Sequence, residues 1–317
     1  MKNRYLVLGI GELLWDFLPG GARLGGAPAN FAVMAGRLRD HAAILSRIGN
    51  DELGRRAVEQ LNATPVDSGF LEVDPAHPTG RVTVDFSRGE PQYTIEEPAA
   101  WDSLAVSDDW IRLAGRADAL CFGTLAQRNA ESRHTIQTLA ATTSPACVRV
   151  LDVNLRAPFY SPDVLQESLE LATVVKMNED ETPHVLELLE LGAGAKKRSA
   201  LRTRSQLLRA AAHTLLEEFP ALRLAVITRG SHGSLLVARE QWHEHPGYRG
   251  PVADTVGAGD AFTAALVHYL LRGADLATLN EAGNRWGAWM ASHSGAMPEL
   301  PSAVLEATAA QIERKRE

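Results

Sequence analysis

Short β-branched runs alternate with amphipathic helical stretches along most of this chain, and that alternation is the tightest constraint on what it can fold into. Residues 5–10, 42–48, 119–122, 148–152, 174–177 and 224–228 read as strands. Helical stretches fall at about 28–39, 52–61, 130–141 and 163–171, with another after Glu179. A strand that recurs after each helix predicts a parallel sheet covered by helices on both faces, because a parallel neighbour is reached only through a long crossover. Towards the end the pattern changes: 234–238 and 241–245 predict an antiparallel pair, followed by two closing helices. A chain of 317 residues suits one large α/β core, so a single domain over 1–317 is expected.

Two segments break the alternation, about 12–24 and about 70–97. In the second, 81–86 and 91–95 flank Ser87 to Glu90, which predicts a hairpin with Gly89 in its turn. Small β elements projecting from an α/β body predict a lid over a site, and their open strand edges suit a homodimer.

Composition narrows the function. A formal charge of −7 and a pI near 5.8 argue against a nucleic-acid partner, which needs concentrated Lys and Arg. No apolar run approaches the roughly 20 residues that span a bilayer, and the basic start leads into a first strand, so no membrane partner is expected. Cys121 and Cys147 sit in apolar runs that read as buried strands, which fits a reducing, cytoplasmic setting better than a disulfide or zinc site. His243 and His245 share a strand face without a third ligand and read as a surface pair. The basic stretch 192–204 reads as a solvated loop.

Chemistry concentrates in Asp254-Thr-Val-Gly-Ala-Gly-Asp-Ala-Phe262. Gly257 and Gly259 permit positive φ, so the N–H groups from Val256 to Gly259 can converge on an anion at the start of a helix from about Ala258. A carboxylate in that first turn, Asp260, either balances the helix dipole or takes a proton from a substrate hydroxyl beside the anion. No Walker-type phosphate loop is present, and Gly9-Ile-Gly11 fails as a dinucleotide fingerprint because Leu14 stands where a small residue is needed.

The segment resembles the second signature of the ribokinase-like (PfkB-type) carbohydrate kinases, and Gly25-Gly26-Ala-Pro-Ala-Asn30 with its following helix resembles the first. The resemblance spans nearly the whole chain and implies a three-layer α/β/α fold with a mostly parallel sheet and a small β-lid. It implies Asp260 as catalytic base, with Gly257, Ala258 and Gly259 forming the anion hole. Asp16, Gly25, Gly26 and Asn30 would hold the sugar. Asp152, Asn154 and Arg156 resemble a sugar-contacting segment of fructokinases and ketodeoxygluconate kinases. Asn178 and Glu181 match a motif tied to Mg²⁺ and phosphate through water, although Asn178 as a helix cap with Glu181 reaching back fits the same spacing. Thr228, Gly230, Gly233 and Asn284 would line ATP, with Arg229 as an alternative phosphate contact. Asp254 and the stretch 294–298 resemble a monovalent-cation site, which makes potassium a further expected cofactor. Within the family, Gly11-Glu12-Leu-Leu-Trp-Asp16 looks like the fructokinase version. Ketodeoxygluconate, ribose or a nucleoside are alternative acceptors, and a sugar- or nucleotide-sensing relative without catalysis is the reading from another class.

Overall fold

The computed structural model describes residues 4–18, 20–85, 92–191 and 203–314. The chain opens with β1 (Leu6–Ile10), the hairpin β2 (Leu14–Leu18) and β3 (Gly21–Gly25), α1 (Ala27–Arg37), β4 (His41–Gly49) and α2 (Glu52–Asn62). Short β5 (Val66–Asp67) and β6 (Leu71–Asp74) precede a second hairpin, β7 (Gly80–Asp85) and β8 (Gln92–Ile95). There follow α3 (Asp108–Ala114), β9 (Ala119–Gly123), α4 (Ala130–Thr142), β10 (Val148–Asp152), α5 (Pro162–Leu171), β11 (Val174–Asn178), α6 (Glu181–Leu188), α7 (Arg204–Glu218) and β12 (Leu224–Thr228). The chain closes with β13 (Ser234–Val237), β14 (Trp242–His245), α8 (Ala258–Leu270), α9 (Leu276–Ala291) and α10 (Ser302–Arg314).

The central sheet runs β14-β13-β12-β11-β10-β9-β1-β4-β5, with β6 also paired to β4. From β12 to β5 and β6 every pairing is parallel, and β13 and β14 complete the edge antiparallel. Successive side chains point to opposite faces, so each strand feeds two cores. On one face Leu8, Ile10, Leu45, Phe122, Leu151, Val175 and Ile227 pack with Ile136 of α4, Leu165 of α5 and Leu215 of α7. On the other, Val7, Ile44, Val150, Val174 and Val226 pack with Phe31 and Met34 of α1, Leu266 of α8 and Trp286 of α9. The expected ribokinase-like three-layer α/β/α arrangement is present.

Most helices begin with a side chain that accepts an otherwise orphaned N–H: Asp51 for α2, Ser161 for α5 and Asp275 for α9. Helix α6 has no cap from its own N-cap residue Asp180, but Asn178 Oδ1 accepts its Glu181 N–H, and two further helices begin on glycine. Gly26 precedes α1 and Gly257 precedes α8, and neither offers a side-chain cap. Their first-turn donors are met partly by residues elsewhere in the chain, Ala27 N by Glu12 Oε1 and Ala258 N by the Thr255 carbonyl, both at 3.3 Å, and the rest have no side-chain cap.

A second sheet, ordered β3-β2-β7-β8, is the predicted lid. Its central pairing, β2 with β7, is parallel, and each partner carries its own antiparallel hairpin strand. Trp15 pins it to the body by donating Nε1–H to the Leu53 carbonyl at 3.0 Å. The predicted turn at Gly89 lies outside the described residues, as does the basic stretch from 192 to 202.

Four details differ from the sequence reading. Residues 71–74 pair with β4 in the body and do not join the lid. The closing region has a third helix, α10, whose Ile312 is buried against the α9 side. Helix α3 also went unread; its Trp110 is buried and donates to the Phe70 carbonyl at 3.0 Å. The histidines of β14 face α9 and are not a surface pair: His245 is buried against Glu281 at 3.0 Å, and His243 meets Asn280. Among the described residues no helix is long and apolar enough to cross a membrane, and no His, Cys, Asp and Glu cluster suits a metal.

Candidate active site

Glu12 after β1, Phe122 and Gly123 at the end of β9, Asp152 at the end of β10 and Pro28 at the start of α1 line one crevice, and the Asn30–Asp260 bond brings the start of α8 to α1; the carboxyl ends of the strands are the usual ligand position in an open α/β sheet. Gly257 adopts φ 75°, and a β-carbon there would come 2.8 Å from Ala296 Cβ. Only glycine meets both demands. Gly259 is glycine for a different reason than the sequence implied. It lies within α8 and does not have positive φ, but a β-carbon would come 2.9 Å from Lys176 Nζ.

Asp260, in the first turn of α8, accepts a hydrogen bond from Asn30 Nδ2 at 2.8 Å. Asn30 is buried on α1, and its Oδ1 has no partner, which leaves an acceptor available. Burial and then the nearby charge of Asp152 push the Asp260 carboxyl up to about 6, against the opposing pull of Lys176, Asn30 and Arg156. A carboxylate with that value holds a proton weakly at neutral pH and suits proton abstraction.

Asp152, at the end of β10, is buried, and both of its oxygens lie 3.0 Å from Lys176 Nζ on β11. Burial by itself would depress the lysine, but Asp152 and Asp260 outweigh it and hold the ammonium above its ordinary value. The sequence reading missed Lys176. The signal was a charged residue inside the otherwise apolar Val174-Val175-Lys176-Met177, which demands a buried counter-ion. Asn154 follows with φ 38°, and Arg156 is exposed at the rim.

On the lid side, Asp16 of β2 lies beside Gly25 of β3, where a β-carbon would come 2.9 Å from Asp16 Oδ2. Burial pushes Asp16 up to about 6, with Arg156 lowering it and Asp254 raising it. Gly26 has φ 111°, and a β-carbon there would come 2.3 Å from the Glu12 carbonyl oxygen. Glu12 is the second residue the sequence reading left without a role. It is 3 % exposed, its Oε1 accepts from Ala27 N at 3.3 Å, and its Oε2 has no partner. Burial pushes it up to about 7.

The nucleotide-side candidates divide. Glu181 accepts from Leu155 N at 2.9 Å and from Asn178 N at 2.8 Å, while Asn178 Oδ1 accepts from Asp180 N and Glu181 N. This is the capping arrangement, and it fixes the carboxylate in place. Each Glu181 oxygen keeps a second lone pair, so the set fits a magnesium ion held through its water. Thr228 ends β12, Gly230 has φ 53°, and Gly233 has φ 83° where a β-carbon would come 1.9 Å from the His245 carbonyl oxygen. Arg229 pairs with Glu244 and donates to the His245 carbonyl at 3.1 Å. Asn284 directs Nδ2 into the protein, at Ser234 Oγ at 2.7 Å and Asn280 Oδ1 at 2.9 Å. The Asp254 carboxylate does not fit the expected potassium ion. Arg23, from lid strand β3, donates to Oδ2 at 2.6 Å and Gly295 N to the same oxygen at 3.1 Å, while Val256 N donates to Oδ1 at 3.0 Å, so a guanidinium cation already pairs with this carboxylate.

Asn30 and the first turn of α8 thus meet at the Asp260 carboxylate, and phosphoryl transfer to an alcohol needs a base beside an anion site. The profile of the pfkB family carbohydrate kinases matches residues 21–303. A sugar kinase of Pyrococcus horikoshii is 29 % identical over 92 % of this chain and 91 % of its own. Its structure with ATP superposes with a TM-score of 0.78 at 26 % identity, covering 96 % of this chain and 99 % of that one. A Klebsiella pneumoniae fructokinase is 30 % identical over 92 % of this chain and 95 % of its own. The Vibrio cholerae fructokinase structure with fructose, ADP and calcium gives a TM-score of 0.74 at 25 % identity, covering 97 % of this chain and 99 % of that one. Site geometry and sequence agree: this chain belongs to the pfkB family of carbohydrate kinases, phosphotransferases that use an alcohol group as acceptor.

Proposed function

We propose that this sugar kinase is an ATP-dependent fructokinase that phosphorylates a primary hydroxyl, with Asp260 as its base. The observation that carries the reading is Asp260 itself, held by Asn30 at 2.8 Å in the first turn of a helix whose opening N–H groups have no side-chain cap. In this mechanism Asp16, Gly25, Gly26 and Asn30 orient the acceptor, and Asn154 and Arg156 close its other side. The acceptor oxygen forms a bond to the γ-phosphorus as its proton passes to an Asp260 oxygen. The bond from the γ-phosphorus to the bridging oxygen breaks, and that oxygen leaves with ADP. The N–H groups of Gly257, Ala258 and Gly259 would face the charge on the transferring group, with Ala258 N giving up its 3.3 Å bond to the Thr255 carbonyl. When bound, magnesium neutralises phosphate charge, and Glu181 would hold it through water. Thr228, Gly230 and Gly233 form the nucleotide side, and Asn284 supports it from within through Ser234 Oγ.

Fructose is the preferred acceptor for two reasons. Fructokinases recur among the relatives, the Klebsiella pneumoniae enzyme at 30 % identity. In addition, the carboxylates Glu12, Asp16, Asp152 and Asp260 outnumber the cations Lys176, Arg156 and Arg23 among the described residues of the site, a balance that favours a neutral sugar over a sugar acid such as ketodeoxygluconate. The chain works as one kinase domain whose lid excludes water, in the cytoplasm, with the open lid edges as its dimer contact. ADP release from MgATP against fructose, ribose, ketodeoxygluconate and adenosine tests the reading. Turnover led by fructose is expected, and turnover led by another acceptor would reassign the substrate.

A further inference from the structure

Lysine is almost never buried without a partner, and Lys176 is 9 % exposed within a strand whose Val174, Val175 and Met177 are buried around it. Its Nζ lies 3.0 Å from both Asp152 oxygens. An ion pair accounts for that contact but not for the lysine's place, since apolar side chains of similar volume often serve a buried position as well or better. The other side of the ammonium is defined by Gly259, where a β-carbon would come 2.9 Å from Nζ. The charge thus sits against the first turn of α8, which carries Asp260 and opens the anion-binding turn.

We infer that Lys176 is a positioning residue for phosphoryl transfer: it fixes Asp152 beside the acceptor, keeps Asp260 available as a free carboxylate, and sets a positive charge against the anion-binding turn at Gly259. The inference rests on the reading of Asp260 as base. The groups that act on Asp260 come from every side: Asp152 from the end of β10, Arg156 from the loop after it, Asn30 from α1, Glu12 from the segment after β1, Cys121 from β9 and Lys176 from β11. Two of these are cations, and Arg156 is exposed at the rim, where water screens it. Lys176 is the buried one. Without it Asp152 and Asp260 become neighbouring carboxylates in a poorly solvated crevice, and such a pair retains a proton. A proton on Asp260 removes the base.

The test compares the full-length wild type with Lys176→Met, Lys176→Arg and the double variant Asp152→Asn with Lys176→Met. The readouts are the pH profile of kcat/KM for the sugar, kcat at pH 7 and the thermal midpoint. Lys176→Met is expected to lower kcat by roughly 10²-fold or more, the scale of losing one preorganised electrostatic contact, and to move the acid limb upward by about one pH unit. Lys176→Arg should restore part of the rate and return the limb toward its wild-type position. The double variant removes the uncompensated charge, so it should fold even if the single variant does not, and its limb should return while kcat stays low. A folded Lys176→Met enzyme with the wild-type limb and near-normal kcat would overturn the inference, leaving Lys176 a structural strut. A double variant with wild-type kcat would overturn it as well. Absence of sugar turnover by the wild type would overturn the kinase reading itself, and the inference with it.

Discussion

Asn30 donates Nδ2–H to Asp260 Oδ2 at 2.8 Å, a bond between residues 230 positions apart. It joins the start of α1 to the start of α8, so the residue proposed to meet the acceptor also aims the carboxylate proposed to deprotonate it. Asp260→Asn is expected to lower turnover by about 10³-fold, the scale of a lost general base. Sugar and ATP affinities measured by calorimetry should hold. Turnover near the wild-type rate would remove Asp260 from the mechanism.

Burial raises Asp260 to about 6, and the base works only when ionised. Activity is therefore present above that value and lost as pH falls through it. The profile of kcat/KM should drop about tenfold per pH unit on the acid side, with its bend near 6. A bend near 4 would mean that water reaches the carboxylate more freely than the packing around it allows.

Glu12 offers a stability measurement independent of turnover. Its carboxyl rises from an ordinary 4.5 to about 7 on folding, so the folded chain takes up a proton between those values and stability falls as pH rises across them. The loss at pH 8 is on the order of 3 kcal/mol. Glu12→Gln lacks that titration and can still accept from Ala27 N. Its thermal midpoint should match the wild type at pH 5 and exceed it at pH 8 by roughly 5 °C. Parallel midpoints at both pH values would show that Glu12 is ionised without penalty.

At Gly257 a methyl group meets two obstacles, φ 75° and the Ala296 side chain at 2.8 Å. Gly257→Ala is expected to destabilise by about 1 to 3 kcal/mol and, by displacing the N–H groups that open α8, to cut kcat by roughly 10²-fold. Equal rates for variant and wild type would show that the turn does not bind the transferring phosphate.

Arg23 occupies the Asp254 carboxylate that the sequence suggested for potassium. Wild-type rates in potassium and in a bulky-cation buffer should therefore coincide, and Arg23→Ala should become responsive to potassium. Strong potassium activation of the wild type would show that the ion displaces the guanidinium.

Much of this molecule was legible because local pattern and local chemistry agree. The strands at 148–152 and 224–228 fall where the β-branched runs predict, bounded by the polar residues that end them. The paired motifs led to Asp260 and Asn30. What could not be read depends on contacts between distant residues. Lys176 and Asp152 are 24 positions apart, and nothing around either names the other. Arg23 and Asp254 are 231 apart. Gly259 looked like a turn glycine, yet it lies within α8 and the space it leaves is taken by the Lys176 side chain from β11. The short strand at 71–74 could pair with either sheet on its own pattern, and its parallel register with β4 decides the matter.

The parallel seam between β2 and β7 bears on how the enzyme could be remodelled. The cover is assembled from two insertions that leave the body separately, near Ile10 and near Asp74, and each returns on its own. Neither hairpin makes the four-stranded sheet alone. Transplanting this cover to a related scaffold would therefore require exchanging two cassettes at once, and a graft of either one would leave the exposed edge of a half-sheet, an invitation to aggregation.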